Sequence, residues 1–210
     1  EDSRLVNLSL TEFANLTASE SPAPGGGSVS AAVGAFGISL GTMVANLTGS
    51  KKGFEKNWKN YSKYAVKGQE IKQKLLQLVD EDTQAFNGII EAVRMPKSNE
   101  EELAARKEAM ISATKHAIEI PYEVMKTAAL AIPIIAAMVE KGNPTSLSDA
   151  AVGGLCLQTA VTGAYYNVKI NLQGLDDADY SVFMTAQATT LYRKSMDELS
   201  EIQKSVEKVL

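Results

Sequence analysis

An all-helical (all-α) bundle of long helices is the fold class this sequence predicts. Three observations lead there. No stretch alternates apolar and polar residues between tight-turn dipeptides, the pattern of a half-buried strand. Apolar residues recur instead in steps of three and four along most of the chain, the period of a helix face. Two stretches, residues 21–50 and 150–168, carry no charged residue at all. That marks two central uncharged helices, touching each other and wrapped by amphipathic ones.

Bulk composition narrows the function classes. The chain has 210 residues, 45% of them hydrophobic, which is enough for one core and too apolar for a disordered chain. One domain spanning 1–210 is expected. A net charge of −4 argues against bulk nucleic-acid binding. Cys156 and His116 are the only cysteine and histidine, so neither an internal disulfide nor a cysteine zinc site is expected. Residues 21–50 are long enough to cross a membrane, but they are rich in Gly, Ala, Ser and Thr rather than Leu and Ile. A soluble core helix fits that composition better, and no membrane partner is expected. No charged-then-apolar leader opens the sequence, so the expected location is the cytoplasm.

Each element follows from local signals. Residues 10–19 read as a short first helix, with Ser9 and Glu12 placed as a capping box. Glu20 to Gly27 holds two prolines and three glycines and cannot be helical. Ser28 is placed to cap a second helix running to about Leu47. In it Gly34, Gly37 and Gly41 let a neighbour approach closely. A long helix covers 54–93, with a seam of Phe54, Trp58, Tyr61, Ala65, Gly68, Leu75, Val79, Phe86, Ile89 and Val93. Met95-Pro96-Lys97 ends it. Residues 99–139 follow, with Pro121 and Pro133 expected as kinks or breaks. Lys141 to Thr145 is a stop and loop, and a last helix runs from about Asp179 to the end.

Four groups of residues could carry chemistry. Asp82 sits in the apolar seam between Val79 and Phe86, where a carboxylate is costly unless paired or protonated. Two roles fit it: a proton-trading group with a raised pKa, or a structural carboxylate bonded to a neighbouring helix. Asp80, two positions back, lies off the seam and reads as a surface residue. The loop from Pro22 to Ser28, with Pro24, Gly25, Gly26 and Gly27, opens a helix and suits either close backbone approach to a ligand or a plain turn. It is no P-loop, because no Gly-Lys-Ser/Thr follows. Lys51 and Lys52 lead into Lys56, Lys59, Lys63, Lys67 and Lys74, a solvated face or a track for a polyanionic tail. Asn143, Ser148, Asp149, Asn167 and Asn171 form the last group. Asn167 and Asn171 share a helix face, either tying helices together or reading a heterocycle.

Several of these segments occur together in one known family. Ala23-Pro-Gly-Gly-Gly-Ser-Val29, Lys51-Lys52 with Phe54, Val79-Asp-Glu-Asp82 with Ala85-Phe86, Pro96-Lys97, Gly142-Asn143, Leu147-Ser-Asp149, Tyr166-Asn-Val168 and Ile170-Asn-Leu172 stand in that family's order across nearly the whole chain. In these residues the sequence resembles the cyclodeaminase domain of formiminotransferase-cyclodeaminase and the stand-alone methenyltetrahydrofolate cyclohydrolases. The resemblance implies an all-helical fold, a homodimer or higher assembly, and tetrahydrofolate one-carbon derivatives, polyglutamylated or not, as substrates. It implies no cofactor beyond the tetrahydrofolate substrate and no metal. It puts the acid/base aspartate on Asp80 or Asp82, and substrate binding on the glycine loop, the basic pair and the Asn143, Ser148, Asp149, Asn167 and Asn171 group. The competing class is a non-enzymatic helical adaptor, which explains the periodicity equally well but not the carboxylate in the seam.

Overall fold

The computed structural model describes residues 4–210. Among them it contains six α-helices and no strand. They are α1 (Leu10–Thr17), α2 (Gly26–Gly49), α3 (Trp58–Arg94), α4 (Glu100–Lys141), α5 (Leu147–Gln173) and α6 (Ala178–Glu207). Short 3-10 turns lie at Leu5–Asn7, Glu55–Asn57 and Pro144–Ser146. Helices α2, α3, α4 and α5 form a four-membered bundle, and α6 lies along α4 and α5.

Helix ends follow the side chains available to satisfy free backbone groups. The expected capping box is present at α1, where the Ser9 hydroxyl accepts from the Glu12 backbone N–H and the Glu12 carboxylate accepts from the Ser9 backbone. Asn99 caps α4 by accepting from the Glu102 N–H at 2.9 Å, and Asp177 caps α6 through the Tyr180 N–H at 3.0 Å. Helix α2 departs from expectation. It begins at Gly26, with Gly25 as a cap that has no side chain, so Ser28 lies inside the first turn rather than capping it. The Ser28 hydroxyl is thereby free to bond another helix.

Helix α2 is the piece the others are fitted to, and small residues set the fit. Along its contact with α5, Gly26 lies against Asn167, Gly34 against Ala160, and Gly37 against Cys156 and the Gly153 backbone, and Gly163 on α5 faces Ser30. The numbers run in opposite directions, so α5 is antiparallel to α2. Helix α3 is also antiparallel to α2, with Gly27 under Asp82, Gly34 against Leu75 and Gly68 under Thr42. The expected close contact between the two uncharged helices is therefore real. The expectation that amphipathic helices wrap them is met on one side only. Val29, Val33, Phe36, Leu40, Met43 and Leu47 form a stripe on α2 in alternating steps of four and three, and Phe36 is 55% exposed. Val152, Leu155, Tyr166 and Ile170 are exposed on α5. Gly37 and Gly153 meet, and the next residue on each helix, Ile38 and Gly154, is buried. Phe36 and Val152, one step the other way, therefore face outward on the same side.

Two further departures concern α3 and α4. The seam of α3 buries Tyr61, Ala65, Gly68, Leu75 and Val79, but Trp58 and Val93 at its ends are exposed. Pro121 and Pro133 do not break α4, which runs through both. Each proline removes one backbone bond, while the surrounding turns bury Ile118, Val124, Met125, Ile132 and Ile135 in the core. By length and composition alone α2 and α4 could each cross a membrane; in the bundle 61% and 56% of their most apolar windows are buried.

The α2–α5 crossing yields a test. A Cβ on Gly37 would stand 2.9 Å from both the Cys156 Cβ and the Gly153 carbonyl oxygen. The backbone cannot move aside as a flexible side chain would. Gly37→Ala is expected to lower unfolding free energy by about 1–3 kcal/mol, read from urea denaturation, and a native value would show that the crossing is looser than this.

Candidate active site

Asp82 projects from the middle of α3 onto the first turn of α2. Its Oδ2 accepts from the Ser28 hydroxyl at 2.8 Å, and Ser28 is fully buried. The Thr83 hydroxyl lies 3.4 Å from the same Ser28 oxygen. Position 27 must be glycine for this to happen, because a Cβ there would overlap the carboxylate, 2.1 Å from Oδ1. Burial pushes the Asp82 carboxyl above the ordinary value of 3.8, and the Ser28 hydroxyl and backbone N–H pull against that rise. Asp82 is thus a half-buried carboxyl, gripped by Ser28, whose proton is held more tightly than usual.

Around it lies a cleft of about 190 Å³, lined by Pro22, Ala23, Gly25, Gly26, Gly27, Asp82, Thr83, Ala85, Phe86, Ile89, Ala117, Asn167 and Asn171. Four elements meet there: the glycine loop with the start of α2, the middle of α3, α4 at Ala117, and the last turns of α5. The Asn167 amide donates to the Gly163 carbonyl at 2.8 Å, within its own helix, and the Asn171 amide donates across to Ala117 on α4 at 2.7 Å. Among the described residues no donor reaches either amide oxygen, so each asparagine keeps an acceptor for whatever enters. One wall is apolar (Pro22, Phe86, Ile89), the other is amide and carboxyl. A space of this size holds one ring system rather than a whole drug-sized ligand.

The sequence-derived site residues divide into two groups. Gly25, Gly26, Gly27, Asp82, Asn167 and Asn171 converge on the cleft. Pro24 and Ser28 are buried behind it, one supporting the loop and the other the carboxylate. The surface reading of Asp80 is corrected. It is only 9% exposed, and its Oδ1 accepts from the Leu5 backbone N–H at 2.6 Å, fixing the 3-10 turn before α1. Two residues on a helix are about 200° apart, so Asp80 turns away from the cleft. Lys51, Lys52, Asn143, Ser148 and Asp149 gather at the other end of α2. There the Lys51 ammonium donates to Asn143 Oδ1 at 2.6 Å, and the Asn143 N–H donates to the Thr48 hydroxyl at 2.8 Å. Twenty-four residues of helix separate the two groups, roughly 36 Å at 1.5 Å per residue. Thr83 and Ala117 were missed by sequence reasoning; nothing local distinguishes a threonine beside Asp82 or an alanine on a long helix.

A larger groove of about 600 Å³ runs between α4 and α6, lined by Ile132, Pro133, Ala136, Val139, Glu140, Glu198, Glu201, Ile202, Ser205 and Val209. It gathers none of the candidate site residues. Among the described residues no three His, Cys, Asp or Glu side chains come together as a metal site.

Residues 9–190 match the family described as formiminotransferase-cyclodeaminase. The chain belongs to that family. Within it, the chain is 34% identical to mouse formimidoyltransferase-cyclodeaminase over 173 residues, 82% of this chain and 32% of the mouse protein. The chain thus spans about a third of the length of that relative. It is 32% identical to the methenyltetrahydrofolate cyclohydrolase of Methylorubrum extorquens over 175 residues, 83% of this chain and 84% of that protein. In three dimensions it matches the crystal structure of formiminotetrahydrofolate cyclodeaminase from Thermotoga maritima with a TM-score of 0.80 and 27% identity, covering 97% of this chain and 96% of that one. The all-helical bundle is thus the fold of a formiminotransferase-cyclodeaminase family member.

The raised Asp82 pKa predicts a pH effect on stability. A carboxyl whose folded pKa exceeds its unfolded value favours the fold while it is protonated. Its contribution is full below 3.8 and is lost as pH rises through the folded value. Asp82→Asn removes that titration. In denaturant melts the variant should gain stability relative to the native chain on going from acid to neutral pH, and parallel curves for the two would contradict the burial argument.

Proposed function

We propose that this chain is a folate one-carbon enzyme that forms or opens the methenyl bridge of tetrahydrofolate. It acts as a methenyltetrahydrofolate cyclohydrolase, a formimidoyltetrahydrofolate cyclodeaminase, or both. The observation that carries the reading is the Asp82 carboxyl, held by a buried serine and lining a cleft walled by glycine backbone and two amides. A purely structural carboxylate would account for the bond to Ser28, but not for the glycine backbone and paired amides gathered beside it in one cleft. The relatives named for these two activities supply the substrate class.

The chemistry needs only proton transfer beside a carbon held between two nitrogens. In cyclodeamination the aniline-side nitrogen of 5-formimino-tetrahydrofolate attacks the formimino carbon and loses its proton. The tetrahedral carbon then releases its amino group, protonated, as ammonia, and the methenyl cation closes. In cyclohydrolysis water adds to the methenyl carbon and loses a proton. The bond from that carbon to the pterin-side nitrogen breaks as that nitrogen takes a proton up, leaving 10-formyl-tetrahydrofolate. One carboxyl with a raised pKa can take the first proton and return it to the leaving nitrogen. No metal or further cofactor enters these steps. Gly25, Gly26 and Gly27 admit the ring closely, and Asn167 and Asn171 offer it acceptors.

Asp82→Asn is expected to fold and to lose roughly a hundred- to ten-thousand-fold in kcat on either substrate. Asp80→Asn should keep near-native turnover, since Asp80 braces the N-terminal segment. Steady-state assays with both folates test this and compare the two activities directly. Loss of activity in Asp80→Asn with Asp82→Asn intact would assign the shuttle to the other aspartate.

The working unit in this proposal is a two-fold dimer. The outward stripes of α2 and α5 are apolar and too extensive to leave in water. Their steps of three and four suit packing against a second copy of themselves. A two-fold axis across α2 sets the helix antiparallel to its mate. The Lys51–Lys52 end of one copy then lies towards the Asp82 cleft of the other. That arrangement gives the basic end, with Asn143, Ser148 and Asp149, a role in holding the anionic glutamate tail. Phe36→Glu should yield a folded monomer in sedimentation with strongly reduced activity. A native chain that sediments as a monomer at micromolar concentration would end the dimer reading.

A further inference from the structure

Pro121 lies buried inside α4, where a proline is usually unwelcome. It has no N–H to give to the carbonyl four residues back, and its ring pushes that carbonyl outward. In α4 this carbonyl belongs to Ala117. The group that takes it up is the Asn171 side-chain amide, which donates to it at 2.7 Å. A carbonyl only accepts, so the Asn171 NH₂ must face Ala117 and its oxygen must face away. Ala117 and Asn171 both line the cleft that holds Asp82.

We infer that Pro121 is a positioning residue for the ligand cleft: by withholding a backbone N–H it leaves the Ala117 carbonyl to Asn171, which locks that amide with its oxygen towards the ligand. The ligand edge met there is consequently a hydrogen-bond donor, an N–H or amino group of a heterocycle. Pro121 touches no ligand itself. It acts one step removed, through the only carbonyl its ring displaces. Asn167, whose NH₂ is engaged by the Gly163 carbonyl, presents the same polarity one turn away. The wall therefore reads donors at two points.

The ligand edge in this inference rests on the folate reading; the link between Pro121 and Asn171 does not. Pro121→Ala restores an N–H aimed at the Ala117 carbonyl, so the helix should be as stable as before or more so. The freed Asn171 amide should then turn between orientations. The first measurement needs no ligand. In the native chain the Asn171 side-chain NH₂ should exchange slowly with solvent by ¹⁵N nuclear magnetic resonance, and in Pro121→Ala it should exchange much faster. The second uses methenyl-tetrahydrofolate turnover and 5-formyl-tetrahydrofolate titration. Pro121→Ala and Asn171→Ala should each raise KM and the folate Kd roughly three- to tenfold, with kcat within about twofold. Combined, they should do no more than Asn171→Ala alone, because both act through one amide. Asn171→Asp, which cannot donate to the carbonyl, should weaken binding comparably and covers the case in which Pro121→Ala misfolds. Unchanged amide exchange, or effects that multiply in the double variant, would overturn the inference. Absence of folate binding by the native chain, with the exchange difference intact, would count against the functional reading and leave the Pro121–Asn171 link standing.

Discussion

The antiparallel small-residue seam between α2 and α5 is the constraint on which the rest of the structure depends. Gly26 against Asn167, Gly163 against Ser30, Gly34 against Ala160 and Gly37 against Gly153 fix both the distance and the register of the two helices. Large side chains would hold the axes apart and allow several settings. Small ones let the backbones meet, and close contact tolerates only one. Because the register is set, the last turns of α5 arrive beside the first turn of α2. That brings Asn167 and Asn171 to the glycine loop.

The same economy of volume operates where α3 crosses α2. Gly27 leaves the space that the Asp82 carboxylate occupies, and Ser28, one residue on, donates to it. The glycine loop therefore has two uses. It gives a ligand access to backbone, and it admits a charged group against the start of a helix, the end that favours negative charge. Asp80 shows the alternative fate of a carboxylate on the same helix. Turned to the opposite side, it satisfies one backbone N–H of the N-terminal segment and becomes a bracket.

A chain that spends glycine and alanine on its central helices covers only one side of them. The outward stripes of α2 and α5 are the complement of the seam, and they lie between the two ends at which polar residues collect. The separation of the Asp82 cleft from the Lys51–Asn143 cluster is a property of one chain, fixed by the length of α2. In the proposed dimer, a second copy packed antiparallel would shorten it without altering either end.

The sequence by itself determined the helices and the suspicion about Asp82. Helix extent depends on nearest neighbours: three- and four-residue periodicity, the Ser9–Glu12 box, Asn99 and Asp177 as caps, and proline and glycine at the loops. A carboxylate within an apolar seam is also a local irregularity, visible without a fold. The family order of the motifs pointed to folate chemistry in the same way. Only tertiary structure decided how each helix is turned about its axis, because rotation is fixed by what packs against it. That turning buried Asp80 under Leu5, opened Phe36 to solvent, and made Ser28 a partner for Asp82 instead of a cap. It also gave the carbonyl orphaned by Pro121 to Asn171, a contact between residues fifty-four positions apart that no local pattern encodes.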